Sequence, residues 1–152
     1  MISPAISRES IETINREFWA AMAAIDLHVA IATPERWNDP EGMTGRIEIR
    51  GEWNGSIEIC VSWALARDAA AEMIGKASGE VSAEDCLDAV REATNIIAGG
   101  IKRLLPPICM MNVPCVTKSN PPAGEAADEP QVLRVCFENE SHELAVVIRA
   151  DP

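Results

Sequence analysis

Asp88, Glu92, Asn95, Gly99 and Lys102 recur at spacings of three and four along the run EDCLDAVREATNIIAGGIKRLLPP, residues 84–107 of this 152-residue chain. Carboxylates can hold a cation, and a carboxamide donates and accepts hydrogen bonds at once without carrying charge. At about 100° of helix per residue, with Asp88 set to zero, Glu92 falls near roughly +40°, Asn95 near −20°, Gly99 near +20° and Lys102 near −40°. By the same step Leu87, Val90, Thr94, Ile97, Ile101 and Leu104 lie roughly 100° to 180° away. The apolar side of the helix is complete without the five, which form a ridge on the opposite side.

Such a ridge has two readings. Charged residues are ordinary on a solvated helix face, and Asp88 has Arg91 within reach, so a plain wet face accounts for much of it. Solvated faces, however, favour strong helix formers such as Lys, Glu and Ala, and this one includes Asn and Gly, which each cost stability inside a helix. A glycine removes bulk and lets another surface approach the backbone. Asn95 would then lie at the bottom of a shallow notch beside Glu92, and the ridge would be a working surface.

The elements that must carry the ridge are legible in outline. Ser82 is a candidate N-cap with Asp85 three residues on, Glu84 and Asp85 suit the positive helix start, and Pro106 and Pro107 stop the helix, which is predicted over 83–105. An earlier helix is predicted from Ile11, Ile14, Phe18, Met22 and Ile25 at helical spacing. The run GRIEIRGEWNGSIEICVSW alternates instead, with Ile47, Ile49 and Trp53 on one face and Ile57, Ile59, Val61 and Trp63 repeating it beyond Asn54-Gly55. Asn-Gly between alternating runs predicts an antiparallel hairpin with a type I′ turn and one buried face. ALARDAAAEMIGK reads as a helix ending near Gly75 or Gly79, ICMMNVPCV as a short strand with Pro114 at an edge or bulge, and QVLRVCFENESHELAVVIRA as two strands. The order predicts one α+β domain over 1–152, helices covering a largely antiparallel sheet with one long motif-bearing helix.

Composition narrows the chemistry. The formal charge of −11 repels phosphate backbones and anionic lipid surfaces, so neither nucleic acid nor membrane is an expected partner. The N-terminal MISPAISRES lacks the basic segment and apolar core of a secretory signal, which predicts a cytoplasmic protein. Cys60, Cys86, Cys109, Cys115 and Cys136 are odd in number with no C-x-x-C pair, so they read as small buried residues in a reducing compartment. No Gly-rich phosphate loop or metal-ligand spacing is present, so no metal site and no cofactor of its own is expected. His28 and His142 are isolated and read as structural or surface residues. The tryptophans read as core and rim, with Trp37, in a loop, also open to a partner contact, and the acidic segment 118–130 reads as a mobile linker, with a lid as the alternative.

The order Asp-x3-Glu-x2-Asn in Asp88, Glu92 and Asn95, followed by IIAGGIKRLL, resembles the signature helix of the CheC/CheX/FliY family of chemotaxis phosphatases, and a short chain with one convincing motif is most similar to CheX. The resemblance implies hydrolysis of the aspartyl phosphate of a CheY-like response regulator. It implies that Asn95 places the attacking water, that Glu92 pairs with the lysine beside the regulator's phosphorylation site, and that Asp88, Gly99 and Lys102 face the partner. Mg2+ is expected in the partner regulator, and a homodimer is expected, with exposed edges among the final strands as its support. A non-catalytic adaptor that docks the same receiver domain would have nearly the same sequence. A second Glu-x2-Asn, Glu12 and Asn15, lacks the preceding acid, because Arg8 stands there, and Asn15 projects toward the apolar stripe of its helix, a structural residue. The family's fuller pattern expects a proline at a position that falls between Pro114 and Pro121.

Overall fold

Alternating apolar residues on neighbouring strands come into line across the sheet. Ile47 stands opposite Ile57, Ile57 opposite Ile148, and Ile148 opposite Leu133, so four strands contribute to one row. Ile47, Ile57 and Ile148 are fully buried, and burial of each side chain contributes about 1.5–3 kcal/mol relative to exposure. The computed structural model describes residues 2–30, 39, 41–118 and 131–152. Its elements are α1 (Arg8–Ala23), β1 (His28–Val29), β2 (Met43–Gly51), β3 (Gly55–Val61), α2 (Trp63–Ile74), a 3-10 turn (Ser78–Glu80), α3 (Ala83–Lys102), β4 (Cys109–Met111), β5 (Cys115–Thr117), β6 (Val132–Glu138) and β7 (Glu143–Ala150). The strands form one sheet in the order β1-β6-β7-β3-β2-β4, with β5 also on β2, and every pairing is antiparallel. The apolar sides of the helices join the apolar sheet face in one core that includes Ile11, Trp19, Leu65, Val90, Ile97 and Ile101. This is the α+β architecture expected from the element order.

The hairpin forms, but its turn is not type I′. Neither Asn54 nor Gly55 has positive φ, and the left-handed-side angle falls on Gly51 at φ 144°. Asn54 instead braces the connection with its carboxamide, accepting from Gly51 N at 3.2 Å and donating to Gly51 O at 3.1 Å. Gly55 is required by contact: a Cβ there would run into the Arg149 carbonyl and the Trp53 ring. Trp63 does not extend the strand but opens α2, whose N-cap Ser62 accepts from Leu65 N. β3 is buried along its whole length, contrary to the single buried face expected: the helices cover one face, and on the other the side chains of Arg46 and Arg149 from the flanking β2 and β7 close on Glu58.

Other boundaries also moved. On α1, Met22 is 42% exposed while Trp19 is buried, so the buried stripe is rotated toward Asn15 and Trp19 from the one predicted, and Ile25 lies beyond the helix end. α2 ends where Gly75 adopts φ 71°. The single strand predicted over residues 108–116 is two strands on β2, interrupted by residues 112–114. There Asn112 donates its N–H to Glu48 O and accepts Glu48 N–H through its side chain at 2.8 Å. Pro114 sits in that interruption, as a residue without a backbone donor must. β7 is an interior strand, so it offers no free edge; β6 is paired along its outer side only by the two residues of β1. The Trp37 reading, and the linker reading from residue 119 on, lie outside the described residues.

Candidate functional site

α3 is a stiff support, and its local sequence explains why. Ser82 and Asp85 form a reciprocal capping box, each side chain accepting from the other's backbone N–H, at 3.0 and 2.9 Å. The backbone hydrogen bond from Ser82 holds the Asp85 carboxyl below its ordinary value. Small residues let the helix settle close to its neighbours. Gly45 of β2 lies directly beneath Thr94, where any Cβ would collide with the threonine hydroxyl and sit 2.9 Å from its Cβ. Thr94 is fully buried and donates to Val90 O at 2.7 Å. Gly100 packs closely against α1: a Cβ there would lie 3.2 Å from Ile14 Cγ2, so the isoleucine would have to give by a few tenths of an ångström. α3 ends at Lys102, a turn short of the predicted boundary, with Leu104 and Leu105 held in successive turns before the prolines.

On this support the ridge is presented outward. Asp88, Glu92 and Asn95 are exposed, and Gly99 and Lys102 are half-buried. The five span about 21 Å along the helix axis at about 1.5 Å per residue. Among the described residues Glu92, Asn95 and Lys102 have no side-chain hydrogen bond or ion pair, so their groups are available to another molecule. Asp88 differs, because its carboxylate accepts from Arg91 Nη1 at 2.6 Å. At Gly99 a Cβ would meet nothing within 4 Å among the described residues, so no contact there requires the glycine. The adjacent glycines thus have different surroundings, Gly100 against α1 and Gly99 toward open space. Ile96, 39% exposed beside Asn95, belongs to the same side of α3 and was not singled out from the sequence. Its signal was there, since the angular step puts it roughly 80° from Asp88, outside the apolar arc.

The second Glu-x2-Asn copy is a built-in comparison. Asn15 is 1% exposed, donates to Ile11 O at 2.9 Å and has no partner for Oδ1, so its amide faces the interior. Position on the helix, rather than the tripeptide spacing, separates the two. The isolated histidines also divide: His28 is exposed, whereas His142 is buried with Nε2 2.7 Å from Asp68 Oδ2. Burial opposes ionisation of Asp68, but hydrogen bonds from His142, Arg67 and Ser78 outweigh it and hold the carboxyl below its ordinary value. All five cysteines are free thiols; Cys60, Cys86 and Cys109 are buried and Cys115 is exposed. Among the described residues no group of three or more His, Cys, Asp or Glu could hold a metal ion. No helix among them is long and apolar enough to cross a membrane.

Comparison with known proteins identifies the family and the fold. The family described as "Chemotaxis phosphatase CheX" matches residues 43–138, which include the whole of α3. No curated protein matches the chain. The chemotaxis protein CheX of Vibrio vulnificus superposes with a TM-score of 0.75 at 19% identity, covering 98% of this chain and 99% of that one. The CheX-CheY-BeF3-Mg2+ complex of Borrelia burgdorferi gives 0.66 at 16% identity, over 95% and 97% of the two chains. FliY of Thermotoga maritima gives 0.57 at 19% identity, over 98% and 92%. With the family's profile spanning most of the chain and these folds superposing almost end to end, the chain belongs to the CheX family of chemotaxis phosphatases.

Proposed function

We propose that this chain hydrolyses the aspartyl phosphate of a CheY-like receiver domain, acting as a single-domain cytoplasmic protein. The observation that carries the reading is the exposed pair of Glu92 and Asn95 on the outward side of α3, without side-chain partners among the described residues, in a CheX-family chain. The complex of the Borrelia burgdorferi CheX with CheY supports the choice of partner.

Water attacks phosphorus in line with the aspartyl oxygen, the P–O bond to that carboxylate breaks with its electron pair left on the aspartate, one water hydrogen stays on the new P–OH, and the other passes to a phosphoryl oxygen and leaves with inorganic phosphate. Charge on the phosphoryl oxygens is balanced by the receiver's own Mg2+ and donors, so the missing component is the position of the water. A neutral carboxamide accepts from that water and donates to a phosphoryl oxygen without bringing a second negative charge to an anion. Asn95 is that group. Glu92 pairs with the receiver lysine beside the phosphorylation site, a contact desolvated on docking and therefore worth more than an exposed ion pair. Gly99 permits close approach, Lys102 faces the partner further along the ridge, and Asp88 tunes the approach.

Removal of one preorganised polar group costs on the order of 10²-fold to 10³-fold in rate. Asn95→Ala should therefore retain affinity for the phosphorylated receiver and lose phosphate release, whereas Glu92→Lys should lose both. An Asn95→Ala protein as active as the parent in a phosphate-release assay would remove the amide from the mechanism. A parent protein that binds the phosphorylated receiver without accelerating release would make the chain an adaptor.

We propose further that the protein forms a homodimer through β4. That strand ends the sheet, and Ile108, Met110 and Val113 around it are 70%, 76% and 78% exposed, the most exposed large apolar residues described. An apolar open edge is a template for pairing.

A further inference from the structure

The Asp88 carboxylate is engaged before any partner arrives. It holds the Arg91 guanidinium at 2.6 Å, with both side chains well exposed. Side chains on a helix lean toward its N-terminus, so each covers the turn preceding its own Cα. Asn95, four residues after Arg91, stands one turn along the same side of the helix, about 40° from it in projection. A guanidinium has five N–H donors and no acceptor. Without the negative charge at position 88, Arg91 loses its charged partner, and the other exposed side-chain acceptors within i,i+4 of it are the Glu92 carboxylate and the Oδ1 of Asn95.

We propose that Asp88 is a positioning residue which parks Arg91 on the N-terminal side of the ridge, leaving the Asn95 amide open to water and the Glu92 carboxylate open to a cation. The inference rests on the proposed hydrolysis and concerns the same site. It requires a partner that presents a positive charge opposite Glu92, because a freed Arg91 would repel that charge and occupy the amide. Asp88 thus acts through Arg91 and touches no reacting atom.

Four proteins decide the matter: the parent, Asp88→Asn, Arg91→Ala and the double variant. Each is assayed for phosphate release from a CheY-type receiver domain charged with a small-molecule phosphodonor, and for binding to the same receiver activated with beryllofluoride. Asp88→Asn should raise KM and lower kcat, each by roughly twofold to fivefold, the scale of a single exposed charge interaction. The effect should shrink as salt is raised. Arg91→Ala should stay within about twofold of the parent on the same scale. The double variant should recover toward the parent, which a direct contact between Asp88 and the receiver does not allow. A double variant as impaired as Asp88→Asn, or an unimpaired Asp88→Asn, overturns the proposal. If the parent releases no phosphate, the hydrolysis reading fails, and the binding series still tests the parking: weaker binding by Asp88→Asn with recovery in the double supports it, and any other pattern refutes it.

Discussion

Gly99→Ala separates the stability of α3 from its use. A Cβ at this position meets no atom within 4 Å, so the substitution should collect the full helix-propensity difference of about 1 kcal/mol in favour of alanine. For a chain of this size that raises Tm by about 2–4 °C. The neighbouring positions set the contrast. Gly100→Ala brings its Cβ to 3.2 Å from Ile14 Cγ2 and should gain less or nothing. Gly45→Ala collides with the Thr94 hydroxyl and should lose about 1–3 kcal/mol, the usual cost of overpacking. On the proposed docking the effect on function is opposite: a methyl group at Gly99 should cost about 1–3 kcal/mol of docking, roughly a fivefold to hundredfold rise in KM at about 1.4 kcal/mol per decade. Urea denaturation of the free protein and phosphate release titrated against receiver concentration read the two effects independently. A less stable Gly99→Ala would mean that the glycine has an internal role. A more stable variant with unchanged KM would mean that the partner never comes near it.

Asp68→Ala leaves His142 Nε2 without its carboxylate and should cost about 1–3 kcal/mol. Because the folded carboxyl is held below its ordinary value of 3.8, the parent's advantage over Asp68→Ala is complete above that pH and is lost as pH falls through the folded value; urea midpoints between about pH 5 and pH 2 show it as a converging pair of curves. Burial pushes the Cys60 thiol up to about 12, whereas Cys115 is exposed. Alkylation of the native protein at pH 8 followed by mass spectrometry should therefore mark Cys115 first and leave Cys60 unmodified until unfolding, and early labelling of Cys60 would contradict its placement. Met110→Lys puts a charge on the β4 edge and should shift a dimer toward monomer in analytical ultracentrifugation without loss of fold; an unchanged sedimentation coefficient would exclude that edge as the interface.

Local rules decided what could be read without coordinates. The face on which Asp88, Glu92 and Asn95 stand follows from helix periodicity, and Ser82 with Asp85 marks the helix start through hydrogen bonds between residues three apart. Both depend on near neighbours along the chain, so they survive folding unchanged. The same periodicity set Asn15 against the core of its own helix and so separated the two Glu-x2-Asn copies. Tertiary structure decided the rest. The positive φ moved to Gly51 and Gly55 became a contact glycine because the Arg149 backbone and the Trp53 ring come close there, which no spacing near Asn54-Gly55 encodes. β3 is buried on both faces because the helices cover one and long side chains of the flanking strands, Arg46 and Arg149 against Glu58, close over the other. Gly99 and Gly100 are indistinguishable as letters, and only the packing of α1 against one side of α3 makes one of them structural and leaves the other open.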